Sequence, residues 1–189
     1  MPSNGRYSTR SAVSTFLENA IGTLLPSYVT QVYAGRAYVK EQDYVGFVST
    51  VSPNPNGSSA VLCVVLPSED NQTNWTLTGV TSVNNELVVP VDIEIYFSSN
   101  AEGSINPTGL PGIVQAQYDY DFLVDSLRDL IALNPNFGSS AIWMSGKDAF
   151  GIKHSCSEPW SPPESPWVYI TGVVQFQATC QVILNAPVE

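Results

Sequence analysis

The feature that most constrains this chain is the order in which its hydrophobic period changes. Val13, Phe16, Leu17, Ala20, Ile21 and Leu24 recur at three- and four-residue spacing. They predict one face of a helix that Pro26 ends. Residues before about Ser8 read as a flexible arm. From Gln31 the spacing becomes that of strands, and Val91-Asp-Ile-Glu-Ile-Tyr-Phe97 alternates strictly. Helical spacing returns over Tyr118–Leu133. Leu123, Leu127, Leu130 and Ile131 form its buried stripe, and Asp125, Arg128 and Asp129 its wet side. The closing stretch Val168–Leu184 puts Val174, Phe176, Ala178, Cys180, Val182 and Leu184 on one face. Gln175, Gln177, Thr179 and Gln181 form the other, which is polar but uncharged. Blocks of strands separated by single helices predict an α+β domain, a mixed and mainly antiparallel sheet packed against two helices.

Finer readings follow from turn and breaker residues. Gln31–Phe47 reads as one or two strands, and Ser52–Gly57 as a turn cluster. Ala60–Leu66 is continuously apolar, as a central strand buried on both faces is. Trp75–Val83 and Glu86–Phe97 read as a hairpin turning at Asn84-Asn85, because Asn tolerates positive φ. Pro90 removes a ladder donor and marks an edge or a bulge. Ser98–Ala116 and Lys147–Pro166 read as extended loops around a short strand beginning at Ala141. Asp119 or Asp121 suits the start of the second helix; Pro135 and Gly138 stop it. Gly172 marks a bend in the last strand.

Composition narrows the function. The 189 residues suit a single domain, 1–189, with a real core. The formal net charge of −10 argues against gripping nucleic acid, since phosphate binding needs Lys and Arg clusters. The opening residues lack the apolar segment of a secretory signal, and no apolar run is long enough to span a membrane. The expected setting is a cytoplasm with reduced thiols and no disulfide framework. Cys63 and Cys180 lie inside apolar strand patterns as small hydrophobes.

Residues with chemistry are few. His154-Ser-Cys156 resembles half of a metal site or a Cys–His nucleophilic pair. It lacks a second ligand pair and a marked oxyanion hole, and His154 is the only histidine. Asp92 and Glu94 share a strand face, where the solvated face of a half-buried strand is the plainer reading than acid–base work. No phosphate-binding glycine motif is present. No metal, cofactor or catalytic centre is expected. Trp160 and Trp167 flank a Pro-rich cluster, either as interface anchors or folded back on the domain.

Taken in order, four segments carry a resemblance. They are Arg10–Gly22, the strands ending in Val91–Phe97, the helix Asp119–Ile131, and the closing Gly172–Ile183. Together they resemble the tail terminator proteins of long-tailed bacteriophages, across nearly the whole chain. The resemblance implies a structural virion protein that forms a homo-oligomeric ring, of six subunits in that family. Such a ring caps the finished tail tube and joins it to the neck connector. The implied partners are the chain itself, the tube protein and the connector, with genomic DNA passing through unbound and no membrane involved. Lys40–Ser59, Ser98–Ala116 and Lys147–Pro166 are longer than the family's minimal pattern. On this reading Asn106, Leu110, Trp160 and Trp167 are candidate contacts between subunits or with neighbours, and Asp92, Glu94, Asp125 and Asp129 are candidate lumen residues. Related neck, tail-completion and tube proteins are alternatives, and a glycan- or receptor-binding module is an alternative from another class.

Overall fold

The computed structural model describes residues 5–36, 57–67, 71–77, 82–100, 112–138, 142–144, 151–163 and 165–185. Asn106 and Leu110 lie outside them. The described elements run α1 (Arg6–Ala20), β1 (Val29–Tyr33), β2 (Ser58–Val65), β3 (Asn71–Leu77), β4 (Ser82–Asn100), α2 (Gly112–Leu133), β5 (Ile142–Met144), β6 (Lys153–Cys156) and β7 (Trp167–Asn185). This is the expected α+β arrangement, two helices on one mixed sheet. Its strand order is β1-β2-β4-β7-β5, with β3 beside β4 and β6 beside β7. Only β1 and β2 pair in parallel among the described strands.

The spine of the sheet is a ribbon of two 19-residue strands, β4 and β7, paired from Ser82↔Asn185 to Asn100↔Trp167. At roughly 3.4 Å per residue such a ribbon is on the order of 60 Å long. Its outer edges are shared. β3 covers β4 from Val83 to Val88, and β2 covers it from Asp92 to Ser99. Pro90 falls in the interval between them, where β4 changes partner on that side. That is where a residue without an N–H costs the ladder least.

Both helices pack on one face. Leu17 from α1, Leu123, Leu127 and Ile131 from α2, Leu62 from β2 and Ile93, Ile95 and Val174 from the ribbon are fully buried in one cluster. Phe176 joins them, and Ile21 packs against the cluster half-buried. Val182, expected in the same core, has a side chain outside the described set. β2 is buried along seven of its eight residues, as its continuous apolar run predicts.

Several boundaries depart from the sequence reading. There is no turn at Asn84-Asn85. These residues sit mid-strand, paired to Ile183 and Val182 on one side and to Thr76 and Trp75 on the other. Ladders on both sides outweigh the local turn preference of Asn. α1 begins at Arg6, inside the expected arm. The Arg6 guanidinium donates to the carbonyls of Leu66 and Pro67 after β2, and the Thr9 hydroxyl donates to the Gly5 carbonyl at 3.0 Å. α1 ends at Ala20, well before Pro26. Thr23, Leu24 and Leu25 N–H groups all turn back to the Ala20 carbonyl, and Gly22 takes the left-handed conformation at φ 72°. Leu24 is therefore exposed, and Leu25 takes the core place expected of it.

The expected loop Ser98–Ala116 is shorter at both ends. Ser98–Asn100 continue β4, and α2 starts at Gly112, so Asp119 lies in its second turn rather than at its start. The expected loop Lys147–Pro166 holds β6, which pairs with β7 from Lys153↔Gln175 to Cys156↔Gly172. All four β6 residues are exposed. An edge strand buried on neither face shows no alternation, so period alone cannot find it.

Candidate functional site

The helix-free face of the sheet, here the back face, carries the residues whose side chains are opposite to the core set. Glu94, expected on a solvated face, is only 7% exposed. Two groups satisfy it: the Arg36 guanidinium, whose Nε lies 3.0 and 3.1 Å from the two carboxylate oxygens, and the Tyr96 hydroxyl, which donates at 2.5 Å. Paired and hydrogen-bonded, a carboxylate can be buried. Around it Val61, Cys63, Tyr96 and Tyr169 form a second apolar cluster, with Tyr33, Val65 and Trp167 packed against it.

Asp92, two residues earlier, is half-buried and accepts from the Gln175 amide at 3.1 Å. Burial pushes its carboxyl above the usual 3.8. The Gln175 bond opposes this, Glu94 adds to it and Arg36 opposes it. Gln175 and Gln177 are exposed on this face as expected; Thr179 is buried instead. Asp92, Gln175 and Gln177 join Pro67, Pro90, Gly151 and Lys153 in lining a cleft of about 390 Å³.

Both tryptophans fold back. Trp160 and Tyr169 exchange backbone hydrogen bonds at 3.1 and 2.8 Å, and their rings stack with centroids 5.0 Å apart. Trp160 remains 40% exposed, and Trp167 is half-buried at the start of β7. The Ser157 N–H donates to the Thr171 carbonyl at 2.8 Å. Between these two bridges the β6 side has one more residue than β7, a bulge that accommodates Pro159. The Pro-rich segment is thus the end of a hairpin, closed by Ser161 and Ser165.

On the helix face, the hydroxyl end of Tyr120 packs against β7 at Gly172. A Cβ at Gly172 would sit 1.7 Å from the Tyr120 oxygen, so only glycine permits the contact. The Tyr120 hydroxyl reaches His154 Nε2 at 2.9 Å. Burial raises the phenol's pKa, and Cys156 and Asp121 add to the rise. Burial lowers that of His154; Arg128 lowers it further, while Asp121 and Asp125 oppose. Cys156 is exposed nearby on the same strand. Tyr28 and Ser58 donate to the backbone carbonyl and carboxylate of Asp119, tying α2 to β1 and β2. No sequence signal marked these ties, because each joins residues far apart in the chain.

The outer crest of α2 carries Tyr118, Phe122, Asp125, Asp129 and Leu133. All are exposed, and Arg128 stands 4.0 Å from Asp125. Asp125 and Asp129 therefore lie beyond the helix layer, whereas Asp92 and Glu94 lie on the opposite face of the sheet. No single lumen wall can hold both pairs, and Glu94 is engaged by Arg36 and Tyr96. No protein-family model matches this chain, and no curated protein is similar to it.

Proposed function

We propose that this chain is a structural, non-enzymatic virion protein: a ring-forming terminator at the head-proximal end of a phage tail tube. The reading rests on one observation, the order helix, strands, helix, strand hairpin, in which the sequence resembles that family. Two features of the fold and one of the composition support it. The sheet is open, ending in β1 and in the short strands β5 and β6 among the described residues. Large apolar side chains stand exposed on α2. The surplus of acidic over basic residues suits a conduit that must not hold phosphates. Neck, completion and tube proteins are the nearest alternatives. The packing of Trp160 and Trp167 weakens a sugar-binding reading, which needs free aromatic platforms.

In this assignment the partners are further copies of the chain, six by resemblance, with the tube protein below and the connector above. Negative-stain imaging of particles made without the protein tests it. Heads and tails should be unjoined, with tails of irregular or excess length. Normal tails on normal heads would refute it.

A further inference from the structure

We propose that the outer crest of α2 is a knob that docks into the back-face cleft of a second copy of this chain. The inference rests on the ring reading and names the contact such a ring would use. Tyr118 and Phe122 stand one turn apart on the side of α2 turned away from the sheet, 62% and 61% exposed. Adjacent exposed aromatics on an otherwise amphipathic helix mark an interaction surface. Asp121 and Asp125 flank them, giving the knob an acidic collar.

The cleft has matching chemistry. Pro67 and Pro90 supply apolar rings, Gln175 and Gln177 supply amides, and Lys153 supplies a cation. Lys153 is exposed and makes no ion pair among the described residues. Asp92 shares the lining; its carboxylate accepts from the Gln175 amide at 3.1 Å and keeps room for a further donor. At about 390 Å³ the cleft is large enough for a pair of aromatic rings. The Asp121 and Asp125 collar then meets Lys153 at the rim, and the Tyr118 hydroxyl meets the Asp92 carboxylate and the Gln177 amide.

Both halves occur on one chain, which is why the occupant is a second copy and not a foreign protein. The knob lies beyond the helices and the cleft on the other side of the sheet, so the contact is head-to-tail. Each copy can give its knob to one neighbour and its cleft to another, the condition for a closed ring.

Two variants test this: the knob variant Tyr118→Ser/Phe122→Ser and the cleft variant Lys153→Glu. All three positions are exposed, and circular dichroism is the check that each variant is folded. Size exclusion with light scattering should show the wild type as an oligomer and each variant alone as the 20.4 kDa monomer. An equimolar mixture should form a one-to-one dimer, because the intact cleft of one accepts the intact knob of the other. A monomeric wild type, variants that keep the wild-type mass, or a mixture that stays monomeric would each overturn the docking contact. If instead tails are normal in particles lacking the protein, the tail-end reading falls while the mixing result stands.

Discussion

At Gly172 a single missing carbon sets the geometry of the helix face. Because no Cβ stands there, the Tyr120 ring approaches β7 and its hydroxyl reaches His154. Gly172→Ala should destabilise the fold by about 1–3 kcal/mol, the usual cost of overpacking. Combining it with Tyr120→Phe should cost less than the sum of the two single changes, since the clashing oxygen is then gone. Urea denaturation of the four proteins measures the difference, and strict additivity would show that the two residues are not coupled. His154 adds a pH dependence. Its folded-state pKa lies below the free value of 6.5, so the unfolded chain takes up the proton first as pH falls. The stability contributed by the neutral ring is complete above pH 6.5 and is lost as pH falls through the folded value. His154→Ala should flatten the stability profile below pH 6.5; an unchanged slope in denaturation measured across that range would count against it.

Among the elements, α2 is the most legible and β6 the least. Leu123, Leu127, Leu130 and Ile131 are buried as their spacing predicts, while Asp125, Arg128 and Asp129 are wet. The same stripe extends to Ala116 and Tyr120, which lengthens the helix toward Gly112. Leu127→Ala should cost about 2–5 kcal/mol, because the side chain is fully buried against the ribbon. A loss under about 1 kcal/mol in chemical denaturation would contradict the packing. In the ribbon, β7 falls within one residue of its expected bounds at each end, whereas the first part of β4 is defined by pairing, not period. Asn84 and Asn85 look like a turn until β3 and β7 are placed on both sides of them. β6 looks like a loop because all four of its residues are exposed; its pairing with β7 and the His154–Tyr120 contact hold it.

The whole molecule has two unlike outer surfaces. One is the crest of α2 with its aromatics and carboxylates; the other is the back face with its cleft, the Glu94–Arg36 pair and the stacked Trp160 and Tyr169. A domain that assembles head-to-tail through such faces should gain stability by mass action. Its thermal midpoint should rise with protein concentration, and the knob variant should abolish that rise. Differential scanning calorimetry over a hundredfold dilution series checks this, and a concentration-independent midpoint would indicate a monomer.

Legible in the residue order alone were the α+β class, the α2 stripe, the α1 stripe as far as Ala20, the doubly buried β2 and the core side of β7 through Cys180. Each is a local period, and burial of one face imposes a period wherever an element is amphipathic. It also placed Cys63 and Cys180 in apolar surroundings, where both are fully buried. Only the tertiary structure decided what depends on distant partners. Glu94 is buried because Arg36 and Tyr96 reach it; Asp119 is held by Tyr28 and Ser58; His154 meets Tyr120 across the gap that Gly172 leaves. It also put Asp92 and Asp125 on opposite sides of the sheet. In a strand the side is set by the pleat and in a helix by the packed stripe, and nothing local relates the one to the other.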